Sequence, residues 1–191
     1  MDARISTRDL TLMALMAALT AIGAYLTVPL GPVPFTLQPF FVLLSGLALG
    51  WRLGALSMVA YMVVGLLAPV YHGGTSGVGV LLGPTGGYLW GFILAPVVVG
   101  LIARRIRPRG LWALFLVATS GLAPIYAVGA TWLAWSLHTT SFHVVLWAGV
   151  LEFLPFDIVK AFLVAVVCRT LAVAPLHLPG LVFGAGRETR S

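Results

Sequence analysis

Three ionisable residues stand apart from every other charge in this chain: Glu152, Asp157 and Lys160, all within one short segment. Asp157 and Lys160 are three apart, so a helix beginning near Pro155 puts them on one face, with Asp157 in the first turn where the helix dipole favours an anion. The pair sets an acceptor-only carboxylate beside a donor-only ammonium. That combination suits a ligand with a donor and an acceptor on adjacent atoms, as in a cyclic urea. A structural ion pair that neutralises itself inside a bundle is the competing reading. Glu152 precedes the helix and can reach interfacial water.

The remaining chemistry is sparse. Neutral polar groups near the same ends of the apolar stretches are Thr36, Gln38, Thr75, Ser76, Thr85 and Tyr88, with Phe35, Phe40, Phe41, Tyr71 and Trp90 close by. Small-molecule pockets combine apolar walls with a few such groups. No G-x-x-x-x-G-K-[ST] loop occurs, so ATP hydrolysis by that route is excluded. His138 and His143, with His72 elsewhere, are poorly spaced for a metal, and no Ser/His/Asp signature appears. The sequence therefore predicts no catalytic residues and no metal site.

The elements that must hold these groups are membrane helices. Sixty per cent of residues are hydrophobic and 8% charged, against about a quarter charged in soluble domains. Apolar stretches at 10–28, 53–70, 85–103, 110–136 and one ending near 172 can cross a bilayer, which takes about 20 helical residues. A sixth, 36–50, is short, so irregular chain must complete its outer end. Placing a charge mid-membrane costs at least about 2.5 kcal/mol, which is why Asp157 and Lys160 draw functional interest.

The net charge of +6 does not predict nucleic-acid binding, because its placement follows topology. Arg4 and Arg8 precede the first span, Arg52 follows the second, Arg104, Arg105, Arg107 and Arg109 follow the fourth, and Arg169, Arg187 and Arg190 close the chain. The alternate connections, 29–35, 71–84 and 137–142, hold no Lys or Arg. The positive-inside rule puts both termini in the cytoplasm. The fold class that follows is an all-α integral membrane protein of six transmembrane helices in the cell membrane, surrounded by lipid. Residues 1–173 form the membrane domain and 174–191 a flexible cytoplasmic tail. Cys168 is the only cysteine, so no intramolecular disulfide can form.

Irregular sequence gathers on the outward side. PLGPVPFTLQP (29–39) carries four prolines, GGTSGVGVLLGPTGG (73–87) seven glycines, and EFLPFD (152–157) a proline inside an apolar run. At membrane depth such backbone is tolerated only where it is buried in protein or lines a cavity. An outward pocket is predicted. On the first helix, Ala14 and Ala18 are four apart, a spacing that allows close helix approach in lipid.

Taken together, GPVPFTLQPFFVLLSGLALG (31–50), GGTSGVGVLLGPTGGYLWGF (73–92) and LPFDIVKA (154–161) resemble the BioY family, the biotin-binding S components of energy-coupling factor vitamin transporters. The likeness covers roughly residues 10–172. It implies a six-helix S-component fold, biotin as transported ligand rather than cofactor, a transmembrane coupling subunit, and two ATPase subunits. It further implies a biotin site drawn from Asp157, Lys160 and the loop from Gly73 to Tyr88, and a coupling-subunit contact at Ala14 and Ala18; with Gln38 from the polar groups above, the expected binding residues are Asp157, Lys160, Gln38, Gly73, Gly74, Thr75, Gly77 and Tyr88. Phe156 departs from the pattern, standing where many relatives have glycine. Two other readings compete: a solitary biotin facilitator, and a membrane enzyme using Asp157, Lys160 and Glu152 as acid and base groups.

Overall fold

Ser6 and Asp9 open the first helix with a reciprocal capping box: the Asp9 amide donates to Ser6 Oγ (3.2 Å) and the Ser6 amide to Asp9 Oδ2 (3.0 Å). These bonds satisfy two of the donors that every helix start leaves unpaired. The computed structural model describes residues 5–29, 33–138, 141–173 and 178–180. Its elements are α1 (Thr7–Tyr25), β1 (Thr27–Val28), β2 (Phe35–Thr36), α2 (Gln38–Leu67), α3 (Val78–Leu82), α4 (Gly86–Ile106), α5 (Leu111–Ser120), α6 (Leu122–Ser136), α7 (Phe142–Leu146) and α8 (Leu154–Val173). A 3-10 turn, His72–Gly74, lies between α2 and α3, and a π turn, Trp147–Leu151, joins α7 to α8.

Helix α2 takes in most of both the short stretch 36–50 and the stretch 53–70. Gly50 breaks it with φ 79° and ψ 177°, a left-handed conformation open to glycine at little cost. The two arms fold back on each other. A Cβ built at Gly54 would lie 2.9 Å from the Ser45 carbonyl oxygen, and at the far end Gln38 meets Tyr61. The N-terminal end of the first arm adjoins the strand pair, with Thr27 opposite Thr36 and Val28 opposite Phe35.

Close approach between helices depends on glycine. Added Cβ atoms at Gly46 and Gly54 would each come within 2.9 Å of Pro96 in α4, and one at Gly100 would sit 2.2 Å from the Trp51 backbone nitrogen. One at Gly91 would lie 2.8 Å from Ile125 Cα in α6. In lipid, where apolar side chains gain little from leaving the solvent, such backbone proximity supplies the packing.

The outside is apolar. Leu67, Trp112, Leu116, Trp135 and Trp147 are all exposed, Leu67 to 89%, and large apolar patches of this kind mark a surface not meant for water. Among the described residues, four helices, Thr7–Tyr25, Gln38–Leu67, Gly86–Ile106 and the nearly continuous Leu111–Ser136, are long and apolar enough to cross a membrane. The protein is a mostly helical membrane protein.

Part of the segment read as a tail is described. Leu178 is buried, and the Gly180 amide donates to the Ala48 carbonyl beside the Gly50 break (2.9 Å). Residues 174–177 and 181–191 lie outside the described residues.

Candidate binding site

Pro155 has no N–H to give to the preceding turn, so the chain passes through the π turn and restarts as α8 at Leu154 with Pro155 in the first turn, where proline is tolerated. This restart aims Asp157 and Lys160 inward. They are 3% and 4% exposed, and among the described residues they are the only charged groups so deeply buried.

The pair is tight. Lys160 Nζ donates to Asp157 Oδ1 at 2.6 Å and to the Thr36 carbonyl at 2.6 Å. It also lies 3.9 Å from the centroid of the Phe35 ring, a cation–π contact strengthened by the loss of water. On the other side, the Tyr126 hydroxyl donates to Asp157 Oδ2 at 2.6 Å. The carboxylate therefore holds one donor on each oxygen. Of the ammonium's three donors, two hydrogen-bond to Asp157 and the Thr36 carbonyl, and the ammonium also faces the Phe35 ring.

The polar chain continues through the loop. Thr36 Oγ1 donates to Gln38 Oε1 (3.0 Å), Gln38 Nε2 to the Tyr61 hydroxyl (2.7 Å), and that hydroxyl to the Val70 carbonyl (3.0 Å). One run of hydrogen bonds thus ties α6, α8, β2 and both arms of α2. Among the described residues, no buried side-chain nitrogen or oxygen lacks a partner, as buried polar networks require.

Thr36, Gln38, Tyr126, Asp157 and Lys160 border a cavity whose walls include Phe35, Leu89, Phe92, Ile125 and Phe153. Apolar walls with a few polar groups are the make-up of small-molecule pockets. Of the eight residues expected from the sequence to form the site, four line the cavity: Gln38, Tyr88, Asp157 and Lys160. Tyr88 turns its hydroxyl to the Gly149 carbonyl in the π turn (2.7 Å), so its ring is what faces the cavity.

Gly73, Gly74, Thr75 and Gly77 are not in the cavity wall. They shape the loop above it. The three glycines have φ of 63°, 78° and 91°, and the Gly73 amide donates to Thr27 Oγ1 at 3.2 Å. The Gly77 amide reaches the Gly65 carbonyl at 2.8 Å. This loop delivers His72 to the wall, where its Nε2 pairs with Thr85 Oγ1 at 3.2 Å. Burial holds the His72 ring below its ordinary pKa, so the neutral form is favoured.

Phe156 faces outward, 53% exposed, and its ring meets Phe35 edge-on at 5.2 Å. It buttresses the ring that covers Lys160. Ala14 and Ala18 lie on the exposed face of α1, away from Met16, Thr20, Gly23 and Ala24, which are buried. Among the described residues, no group of three His, Cys, Asp or Glu could hold a metal ion.

Tyr126 is the main residue that sequence reasoning missed. In an apolar run a tyrosine reads as packing; the available signal was a hydroxyl at mid-span, which must find a partner when buried.

A membrane-embedded, mostly helical protein with a buried ion pair in the wall of an apolar cavity is the class this geometry defines. The chain matches the BioY family model over residues 1–175 and belongs to that family. It is 41% identical over 165 residues to the probable biotin transporter BioY of Pyrococcus horikoshii, covering 86% of this chain and 96% of that one. It is 39% identical over 166 residues to the biotin transporter BioY of Thermotoga maritima, covering 86% and 95%. Among solved structures, the S-component for biotin from an ECF-type ABC transporter superposes with a TM-score of 0.80 at 30% identity, covering 90% of this chain and 94% of that one. These relatives are transporters, not enzymes.

Proposed function

We propose that this protein captures biotin and takes it across the cell membrane as the substrate-binding subunit of an energy-coupling factor transporter. The observation that carries the reading is the Asp157–Lys160 pair, buried at 2.6 Å in the wall of an apolar cavity. A cyclic urea offers an N–H to Asp157 and, on the adjacent atom, a carbonyl to the Lys160 ammonium. The apolar walls suit the rest of a small hydrophobic ligand. The names of the relatives supply biotin as the ligand.

Six crossings with both termini cytoplasmic fit the helices. Each arm of α2 is counted as a crossing, and α8, which carries Asp157, Lys160 and Arg169, as the last. Arg52, Arg104, Arg105 and Arg169 then lie at the end opposite the cavity, the side favoured for basic residues. A transmembrane coupling subunit and two ATPase subunits complete the proposed machine, with Ala14 and Ala18 offering a small-residue face on α1 to the first of these. Gly73, Gly74, Thr75 and Gly77 act in this reading as the cover of the site.

Calorimetric titration of the purified protein with biotin and several other vitamins tests the proposal. Saturable binding of biotin alone is expected. Preference for another vitamin would overturn the substrate, and binding of none would overturn capture.

A further inference from the structure

Tyr126 comes from α6, thirty-one residues before Asp157, and its hydroxyl has that carboxylate as its hydrogen-bond acceptor. The terminal torsion of an aspartate is soft, so an ion pair at one oxygen leaves the carboxylate plane free to turn. Here Lys160 holds Oδ1 and Tyr126 holds Oδ2, each at 2.6 Å and from different helices. The plane is pinned. An ionised carboxylate has about four acceptor positions; with one used on each oxygen, those remaining are available in the cavity that Asp157 lines. Tyr126 lines the same cavity. Because its single proton is committed to Asp157, it too offers only acceptor capacity to a ligand.

We infer that Tyr126 is a positioning and specificity-determining residue: it orients Asp157 so that this end of the cavity takes a ligand N–H and disfavours ligands whose ring nitrogen is capped. This deepens, and rests on, the reading of the cavity as the biotin site. A hydroxyl present only for packing would fill space without affecting which ligand nitrogen is accepted.

The test is a cycle of two ligands and two proteins. Wild type and Tyr126→Phe are titrated with biotin and with biotin methylated on either ring nitrogen. Wild type should bind biotin at least about tenfold more tightly than one of the methylated forms, as expected when a charge-assisted hydrogen bond is lost. Tyr126→Phe should lose about tenfold in biotin affinity but less than about threefold for that methylated form, so the discrimination shrinks. Equal losses for both ligands would make the role purely structural and overturn the inference. So would failure of Tyr126→Phe to fold, since phenylalanine fills the same space and lacks only the hydroxyl. Wild type that binds both methylated forms as well as biotin would overturn it without any variant. Wild type that binds no biotin would instead overturn the reading of the site itself, and this inference with it.

Discussion

Replacing the two members of the buried pair singly and together separates a ligand-binding pair from a merely structural one. Lys160→Met leaves the buried Asp157 with only the Tyr126 hydroxyl as donor, and Asp157→Leu leaves the Lys160 ammonium with the Thr36 carbonyl and the Phe35 ring. Removing one partner of a buried pair costs about 3–5 kcal/mol, whereas replacing both by apolar residues of similar volume is often near neutral. The double variant also strands the Tyr126 hydroxyl and the Thr36 carbonyl, at about 1–3 kcal/mol each. The two single losses therefore sum to about 6–10 kcal/mol, while the double should lose about 2–6 kcal/mol. Denaturant unfolding in detergent measures the stability of all four proteins, and calorimetry their affinity for biotin. Stability should be partly restored in the double variant, and biotin binding should fall by at least about tenfold in all three. Additive stability losses would refute the coupling inferred from the 2.6 Å contact. Full affinity in either single variant would refute the role of the pair in the site.

Gly100→Ala should destabilise the protein by about 1–3 kcal/mol, read as a lower melting temperature, because its methyl would meet the Trp51 backbone 2.2 Å away. His72 has a folded pKa lowered from 6.5 by burial. Below that value the unfolded chain takes up a proton that the folded protein resists, so stability should be flat above pH 6.5 for this group and fall as pH drops beneath it; His72→Gln should flatten the acid side of a melting-temperature profile. Leucine at both Ala14 and Ala18, on the exposed face of α1, should block pull-down of a coupling subunit and coupled uptake while leaving biotin binding of the isolated protein unchanged. Loss of that binding would assign the two alanines to packing within the chain.

Legibility in the sequence followed the range of the interaction. The solvent was evident, because a chain 8% charged has too few polar groups to face water. The break in α2 fell at Gly50, the last residue of the first of its two apolar stretches, where a positive φ lets the arms turn sharply. Asp157 and Lys160 could be paired from their spacing alone, since residues three apart on a helix are neighbours whatever surrounds them. Pro155 marked the start of α8 for an equally local reason, its missing N–H.

The other half of the site belongs to the tertiary structure. Lys160 meets the Thr36 carbonyl across 124 residues and Asp157 meets Tyr126 across 31; no local pattern encodes either. Backbone carbonyls are the same at every position, so nothing in the residue Thr36 announces that its oxygen will accept from an ammonium. Periodicity gives little help in lipid, where the outside of a helix is as apolar as its packed face: Tyr126 facing the cavity and Trp135 facing outward stand in the same α6 run of similar hydrophobicity. Which tyrosine pins the carboxylate, and which loop carbonyl holds the lysine, was decided when glycine-mediated contacts brought α2, α4 and α6 close enough for α8 to close the cavity beside them.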